Sequence, residues 1–326
     1  MGWNEGYAAQ FYITNVDPYS WRDLNIIDIT GGNVSKNADG LMESANINLT
    51  ENIGERIIRV YIVTQSETGG DRAAIFTGFA QTPSVQWDGV RESYNAVCYS
   101  VLKASSDILL PRGWYADKGA NAAEVARDLL SVLAPVTIEG TAPKLDQYLV
   151  AESGETQLSM AQKILKSIGW RIRIEGDGAI LLTPQTTEPS ARFDSEIDDI
   201  VELSVTDEQD LYSCPNVFRA TSGDSSAVAR NEASIQERMR EIWAEDDRVV
   251  PNDGESLEEY ALRRLIELQS PARRVTYNRR YLPDVVPGDV VTLSFSGQRV
   301  EGNFRVQRQR ITLGYNATVS EEVEQI

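Results

Sequence analysis

Two strand-rich blocks at opposite ends of the chain carry the same layout, and that repetition limits the folds open to it. The first runs from Phe11 through Ser100, with strand-like runs at Arg59-Val60-Tyr61-Ile62-Val63 and Ile75-Phe76-Thr77-Gly78-Phe79. The second runs from Val275 onward, through Val290-Val291-Thr292-Leu293 and Phe304-Arg305-Val306. Each has a run of β-branched and aromatic residues, a short glycine-bearing turn, and a second run that leads into more strand. The blocks are not alike in sequence. They are alike in the order of their parts, as expected of one small β-barrel used twice, and a doubled barrel points to a structural part rather than an enzyme.

A chain of 326 residues can bury a real core and hold two or three domains. No apolar run approaches the roughly 18 residues that a membrane span needs. Met1-Gly2-Trp3-Asn4-Glu5 lacks the basic and apolar segments of a Sec signal peptide. Gly6 stands where a myristoylation signal has Ser or Thr, so first folding in a cytoplasm is expected. Lys and Arg number 31 against 49 Asp and Glu, a net charge of −18. Such a surface repels nucleic acid, because duplex binding requires cations that displace condensed counterions. A sequence-reading DNA binder is therefore disfavoured.

The chain has two cysteines, Cys98 and Cys214, and no histidine. A disulfide framework is excluded, and a zinc site would have to rely on carboxylates. Each cysteine reads as a small buried apolar residue, since no imidazole exists to activate a thiol or complete a Ser–His–Asp triad. No catalytic, cofactor-binding or metal-binding residue is expected, and no cofactor.

Along the chain the texture changes twice. Residues 1–103 read as mostly β: Phe11 and Ile13 alternate with Tyr12 and Thr14, and Ala45, Ile47 and Leu49 alternate with Asn46 and Asn48. Arg59 to Val63 is apolar on both faces apart from Arg59, which predicts a central strand. Residues 104–187 read as a small α+β unit. Asn121 with Glu124 opens a helix carrying Val125, Leu129 and Leu133, and a second helix from Thr156 buries Leu158, Ala161, Leu165 and Ile168 before Gly169. Trp170, Ile172 and Ile174 then alternate with polar residues up to a Gly176-Asp177-Gly178 turn. Residues 188–326 form the second β block, with a helix-containing insert around 236–270. In it, Asp194 to Asp210 reads as a strand with a solvated face, 221–234 as a loop, and Met239 to Glu245 as a strand. Ser256 with Glu259 makes a capping box for a helix along Leu257, Ala261, Leu265 and Leu268, stopped by Pro271. Phe304 and Val306 fall in one alternation phase and Ile311 and Leu313 in the other, which predicts a β-bulge near Arg308–Arg310. The fold class is mainly β with α+β insertions.

Three features carry competing chemical readings. The acidic cluster Asp194, Glu196, Asp198 and Asp199 lacks the glycine and spacing of a calcium loop, and a solvated face is preferred. Nothing localises a glycosidase carboxylate pair among the 49 acids. Arg273, Arg274, Arg279, Arg280, Arg305, Arg308 and Arg310 form either a patch for an acidic or phosphate-bearing partner or a set of cross-strand ion pairs. Residues Tyr148 to Thr156, continued through Leu158 to Ile164, look like the opening of a LysM peptidoglycan-binding repeat. That likeness ends where a second helix should follow and a strand–turn–strand comes instead.

Several stretches together resemble the baseplate hub or tail-tip proteins of tailed bacteriophages. Near the N-terminus these are Val16-Asp17-Pro18 to Trp21, Gly31-Gly32-Asn33-Val34-Ser35, Glu43-Ser44, and Arg59-Val60-Tyr61 with Phe76-Thr77-Gly78. Further on they are Cys98 to Lys103, Gly169-Trp170 with the Asp177-Gly178 turn, Pro215-Asn216-Val217, and Val286-Pro287-Gly288-Asp289-Val290-Val291 through Glu322-Val323. Each is weak alone; their order along the chain carries the likeness. The resemblance implies two tube-like β-barrels per subunit, so that a homotrimer presents six barrels to a hexameric tail tube or distal tail protein. A spike, fibre or tip protein would lie below, and a tape measure protein is a candidate contact. DNA would pass through the channel without specific binding. No lytic or fibre domain is expected after the second barrel, and the implied location is the virion, after assembly in a host cytoplasm. The competing expectations are a peptidoglycan-binding or lytic tail component built on the LysM-like segment, and a host-encoded β-rich binding protein unrelated to phage.

Overall fold

The computed structural model describes residues 8–38, 43–65, 70–89, 91–195, 201–208, 212–222, 225–246, 255–269, 273–315 and 317–326. The described residues are mainly β, 51% strand and 17% helix, as the alternating runs predict. Strands β1 (Ala8–Val16), β2 (Asp23–Ile27), β3 (Ile29–Asn37), β4 (Ser44–Leu49), β5 (Arg56–Gln65), β6 (Arg72–Ala80), β7 (Ser84–Asp88) and β8 (Arg91–Ser100) come first. Then follow α1 (Lys103–Asp107), β9 (Tyr115–Ala116), α2 (Ala122–Leu130), β10 (Val136–Ile138), β11 (Leu149–Val150), α3 (Gln157–Ser167), β12 (Trp170–Ile174) and β13 (Ile180–Pro184). The last part holds β14 (Pro189–Asp194), β15 (Val201–Glu208), β16 (Val217–Ser222), β17 (Ser225–Arg230), α4 (Glu232–Arg238) and β18 (Trp243–Asp246). It ends with α5 (Leu257–Gln269), β19 (Arg274–Arg280), β20 (Val290–Phe295), β21 (Val300–Thr312) and β22 (Thr318–Gln325). The chain divides into two compact units, one of residues 1–206 with 276–324 and one of residues 207–275.

In the larger unit the N-terminal strands pair in the order β3-β4-β8-β6-β5-β1-β2. β5 lies between β1 and β6, the central position its two apolar faces predict. Ile58, Val60 and Ile62 point into a core with Ile13, Ile47, Phe76 and Ala96. That core also takes Ile311, Leu313 and Val319 from the C-terminal end of the chain.

The contribution comes through β21, which serves two sets of strands. Its first half pairs antiparallel with β20, from Val300 opposite Phe295 to Arg305 opposite Val290. Its second half pairs antiparallel with β3, from Arg308 opposite Asn37 to Thr312 opposite Asn33. Val300, Phe304 and Val306 are buried before the change of partner, and Gln309 and Ile311 after it. The inversion of phase falls at Gln307–Arg308, where the strand passes from one partner to the next. The β-bulge expected near Arg308–Arg310 is corrected, because the pairing with β3 keeps an unbroken register from Arg308 to Thr312.

Between β8 and β14, helices α1–α3 and strands β9–β13 form an α+β layer with a core of its own. α2 packs on α3, and β12 and β13 form an antiparallel hairpin with β10 added in parallel to β13. Asn121 accepts the backbone N–H groups of Ala123 and Glu124, and Thr156 caps α3 by accepting from Ser159. Ala122, Ala123, Ala126, Leu129 and Leu130 make the buried face of α2. Leu133 lies beyond its end, because the helix stops at Leu130 with Ser131 as its C-cap. Trp170, Ile172 and Ile174 are buried, as the alternation predicts, and Arg171 and Arg173 between them are only partly exposed.

The smaller unit is a three-stranded sheet in the order β17-β16-β18, with α5 packed on β16 and β17. Its core is Phe218, Ala220, Ala227, Ala261 and Leu265. Ser256 and Glu259 form the expected reciprocal cap: Ser256 N donates to Glu259 Oε2 at 2.8 Å, and Glu259 N donates to Ser256 Oγ at 3.2 Å. Pro271 lies outside the described residues. The expected loop over 221–234 is corrected: β17 pairs with β16 from Ser225 to Arg230, and α4 follows. Small and polar residues make a strand here because pairing with Val217 and Phe218 and cover from α5 supply the burial their own side chains lack. The strand expected over 239–245 is shorter and begins later, as Trp243–Asp246 paired in parallel with β16, because Met239 ends α4 in a left-handed conformation.

Candidate functional site

Cys98 is fully buried, and burial pushes its thiol up to about 12, so it stays protonated. Cys214 is also buried and free. Asp194 ends β14, while Glu196, Asp198 and Asp199 lie outside the described residues. Among the described residues no group of three or more metal-ligating side chains comes together. The LysM-like stretch forms β11 and α3 and then runs into the β12–β13 hairpin. Several C-terminal arginines make ion pairs. Arg273 Nε and Nη2 grip the carboxylate of Asp207 at 2.9 and 2.6 Å, and Arg308 Nη1 lies 3.8 Å from Glu322 Oε2. Arg279 pairs with Glu321 inside the sheet.

The polar side chains that the fold does bring together serve as locks between its layers. The first lock is centred on Asp23, at the start of β2. Its carboxylate accepts hydrogen bonds from Tyr61 OH at 2.6 Å, Thr14 Oγ1 at 2.9 Å, Arg59 Nη1 at 2.9 Å and Arg72 Nη2 at 3.2 Å. Burial works against the charge on Asp23. The bonds from Tyr61 and Thr14 and the charges of Arg59 and Arg72 outweigh it and hold the carboxyl below its usual range. Arg59 spans two layers: its Nε donates to Thr77 Oγ1 at 3.1 Å, and its Nη2 donates to the carbonyl of Asp177 at 2.9 Å. Trp21 Nε1 donates to the same carbonyl at 3.0 Å, and Thr77 Oγ1 donates to the carbonyl of Gly176 at 2.9 Å. The Gly176-Asp177-Gly178 turn of the α+β layer is thus bolted to β5 and β6.

The second lock joins the same hairpin to the C-terminal strands. Asp289 lies in the turn before β20 and is almost wholly buried. Arg171 Nη2 donates to Asp289 Oδ1 at 2.6 Å, and Arg173 Nη1 reaches that oxygen at 3.4 Å. Asp289 Oδ2 accepts the Val286 N–H at 3.0 Å, which closes the Val286-Pro287-Gly288-Asp289 turn. Arg305 donates to the carbonyls of Gly288 and Thr186 at 3.1 and 3.0 Å.

Sequence reading singles out Arg59 as the polar exception in a central strand and the arginines alternating along β12. It does not find their partners, because Asp23 and Asp289 stand 36 and 118 residues away from Arg59 and Arg171. The only local signal is the Pro287-Gly288-Asp289 turn. The arrangement fixes three layers to one another and supplies rigidity.

No protein-family model and no curated protein matches the chain. Solved structures do. The 43 kDa tail protein of prophage MuSo2 from Shewanella oneidensis matches with a TM-score of 0.70 at 11% identity, over 97% of this chain and 96% of that one. The tail protein from Neisseria meningitidis MC58 matches with a TM-score of 0.65 at 14% identity, over 98% and 97%. An Escherichia coli component of the type VI secretion system, with structural similarity to T4 bacteriophage tail proteins gp27 and gp5, matches at 0.53 and 6% identity, over 92% and 74%. The structural neighbours of this chain are thus phage tail proteins and their secretion-system counterparts, and it shares their fold across nearly its whole length.

Proposed function

We propose that this protein is a structural component of a phage tail, a baseplate hub or tip subunit that acts without catalysis. Three copies close a ring between the tail tube, or a distal tail hexamer, and a spike, fibre or tip protein. The tape measure protein is a further contact. DNA leaves through the ring without specific binding, and the protein resides in the virion after assembly in the host cytoplasm. Within each copy, residues 1–103 and 188–326 form two tube-like barrels sharing β21, with residues 104–187 between them and the insert around 236–270 in the second.

The observation that carries this reading is the end-to-end likeness to a prophage tail protein, with 97% of one chain laid on 96% of the other. The doubled strand layout supports it, because two barrels in each of three copies make the six units that a hexameric tube requires. A reconstruction of the assembled tail, with the native mass of its tip complex, tests it. Three copies in one ring are expected. Six copies, or a single copy, in the assembled tail overturn the trimer. Clearing of murein by the purified chain in a zymogram favours the lytic alternative.

A further inference from the structure

A cleft of about 320 Å³ opens on the α+β layer where it meets the C-terminal turn, and Lys166, Arg171 and Arg305 all line it. Three cations around one cavity are out of character for a chain with a net charge of −18. Local carboxylates do not balance them. Asp289 is shared between Arg171 and Arg173, and Glu175 is held by Arg173 at 2.7 Å. Lys166 has no ion-pair partner among the described residues. Arg305 is anchored on two backbone carbonyls. Its charged form is disfavoured first by burial and then by the neighbouring charge of Arg171, a repulsion that a bound anion relieves. Leu165, Trp170 and Ile172 supply an apolar stretch of the wall, and Gln162 and Gln185 also line it.

We infer that this cleft binds a carboxylate carried on an apolar body about the size of one large side chain. The cations take the carboxylate through charge-assisted hydrogen bonds, and the Trp170 wall takes the apolar part. A bare phosphate satisfies the cations but leaves the apolar wall wet, and a neutral ligand leaves the cations unpaired. The carboxylate has two sources, a free organic acid or an acidic side chain beside an apolar one in a protein segment.

The test titrates the full chain by calorimetry and tryptophan emission with hydrocinnamate, hydrocinnamyl alcohol, inorganic phosphate and the capped peptide acetyl-Leu-Glu-Leu-amide. Hydrocinnamate binds with a dissociation constant on the order of millimolar, as its size allows. The alcohol and phosphate bind about tenfold more weakly or not at all. Lys166→Ala and Arg305→Gln each weaken hydrocinnamate about fivefold, Lys166→Arg restores it, and added salt weakens it. Trp170→Phe removes the emission change while calorimetric binding persists. A peptide that binds more tightly than hydrocinnamate identifies a protein segment as the source, and one that binds more weakly identifies a free acid. Equal binding of the alcohol, equal binding of phosphate, or no loss in Lys166→Ala overturns the inference. Lys166 is exposed, so its removal leaves the fold intact and that last outcome is decisive.

Discussion

Arg279 and Glu321 form an ion pair that solvent does not reach: both side chains are 0% exposed, with Nε 2.5 Å from Oε2 and Nη2 3.0 Å from Oε1. Tyr277 OH donates to Glu321 Oε2 at 2.8 Å, and Gln309 Nε2 donates to Oε1 at 2.8 Å, so the carboxylate's acceptors are filled. Burial, and then the charge of Glu321, push the Tyr277 phenol well above its ordinary value and keep it a donor. β19, β22 and β21 are tied together through this one carboxylate. Removing one member leaves the other charge buried without its partner, so Glu321→Ala is expected to cost about 3–5 kcal/mol. Replacing both, as Arg279→Met with Glu321→Leu, is expected to cost less than either single change. Denaturant midpoints of the natural chain, Glu321→Ala, Arg279→Met, Glu321→Leu and the double variant measure this, and a double variant worse than both of its singles contradicts it.

The Asp23 lock gives stability a pH dependence of known sign. Its folded carboxyl titrates below the unfolded value near 3.8. The stabilisation is therefore complete above that value and is lost as pH falls through the lower, folded one. Asp23→Asn is expected to be less stable than the natural chain at neutral pH, with the gap narrowing at about pH 3 and below. Urea midpoints across this range check it. A gap that stays constant with pH shows that the charge of Asp23 contributes nothing.

Gly176 is required by proximity rather than by a turn. A Cβ there would stand 1.8 Å from the carbonyl oxygen of Ala74 and 2.5 Å from its carbon, and both belong to the backbone of β6. Gly176→Ala must lift the turn off β6 and break the bonds from Arg59 and Thr77. The expected loss is about 2–4 kcal/mol. Gly154→Ala is the control, because nothing lies within 4 Å of its added carbon. It retains only the strain of a left-handed φ of +85°, about 1–2 kcal/mol. Equal losses in the two variants count against the close-approach argument.

These contrasts show which parts of the fold can be read from the chain. The alternation of Trp170, Ile172 and Ile174, the Ser256–Glu259 cap and the phase change before Ile311 are local patterns, and the structure carries all three. β17 is not legible, because Ser225, Ser226 and Ala227 have neither strand propensity nor an apolar face, and the strand exists only through its pairing with β16. The locks are illegible for another reason. Arg59 meets Asp23, and Arg279 meets Glu321, across strands whose order the sequence does not encode locally. The sharing of β21 between two strand sets likewise follows from topology, with only its phase change showing in the residues.

The edge of the N-terminal sheet tests the proposed ring. β2 ends the strand order and, among the described residues, pairs only with β1. Leu24 and Ile26 on this edge strand are 66% and 65% exposed. An open strand edge with large apolar residues invites pairing with another chain, and natural edges left solvent-facing are commonly blocked by lysine. Closure of three copies through strand edges puts this edge at a junction between neighbours. Leu24→Lys with Ile26→Lys is therefore expected to leave the thermal midpoint of the single chain almost unchanged, since exposed substitutions shift stability by about 0.5 kcal/mol or less. The same pair of changes is expected to abolish ring formation when the variant is assembled into tails. Electron microscopy of tails made with each chain, beside melting curves of the purified subunits, separates the two effects. Rings at the natural yield from the double-lysine chain would remove β2 from the junction and leave closure to another edge.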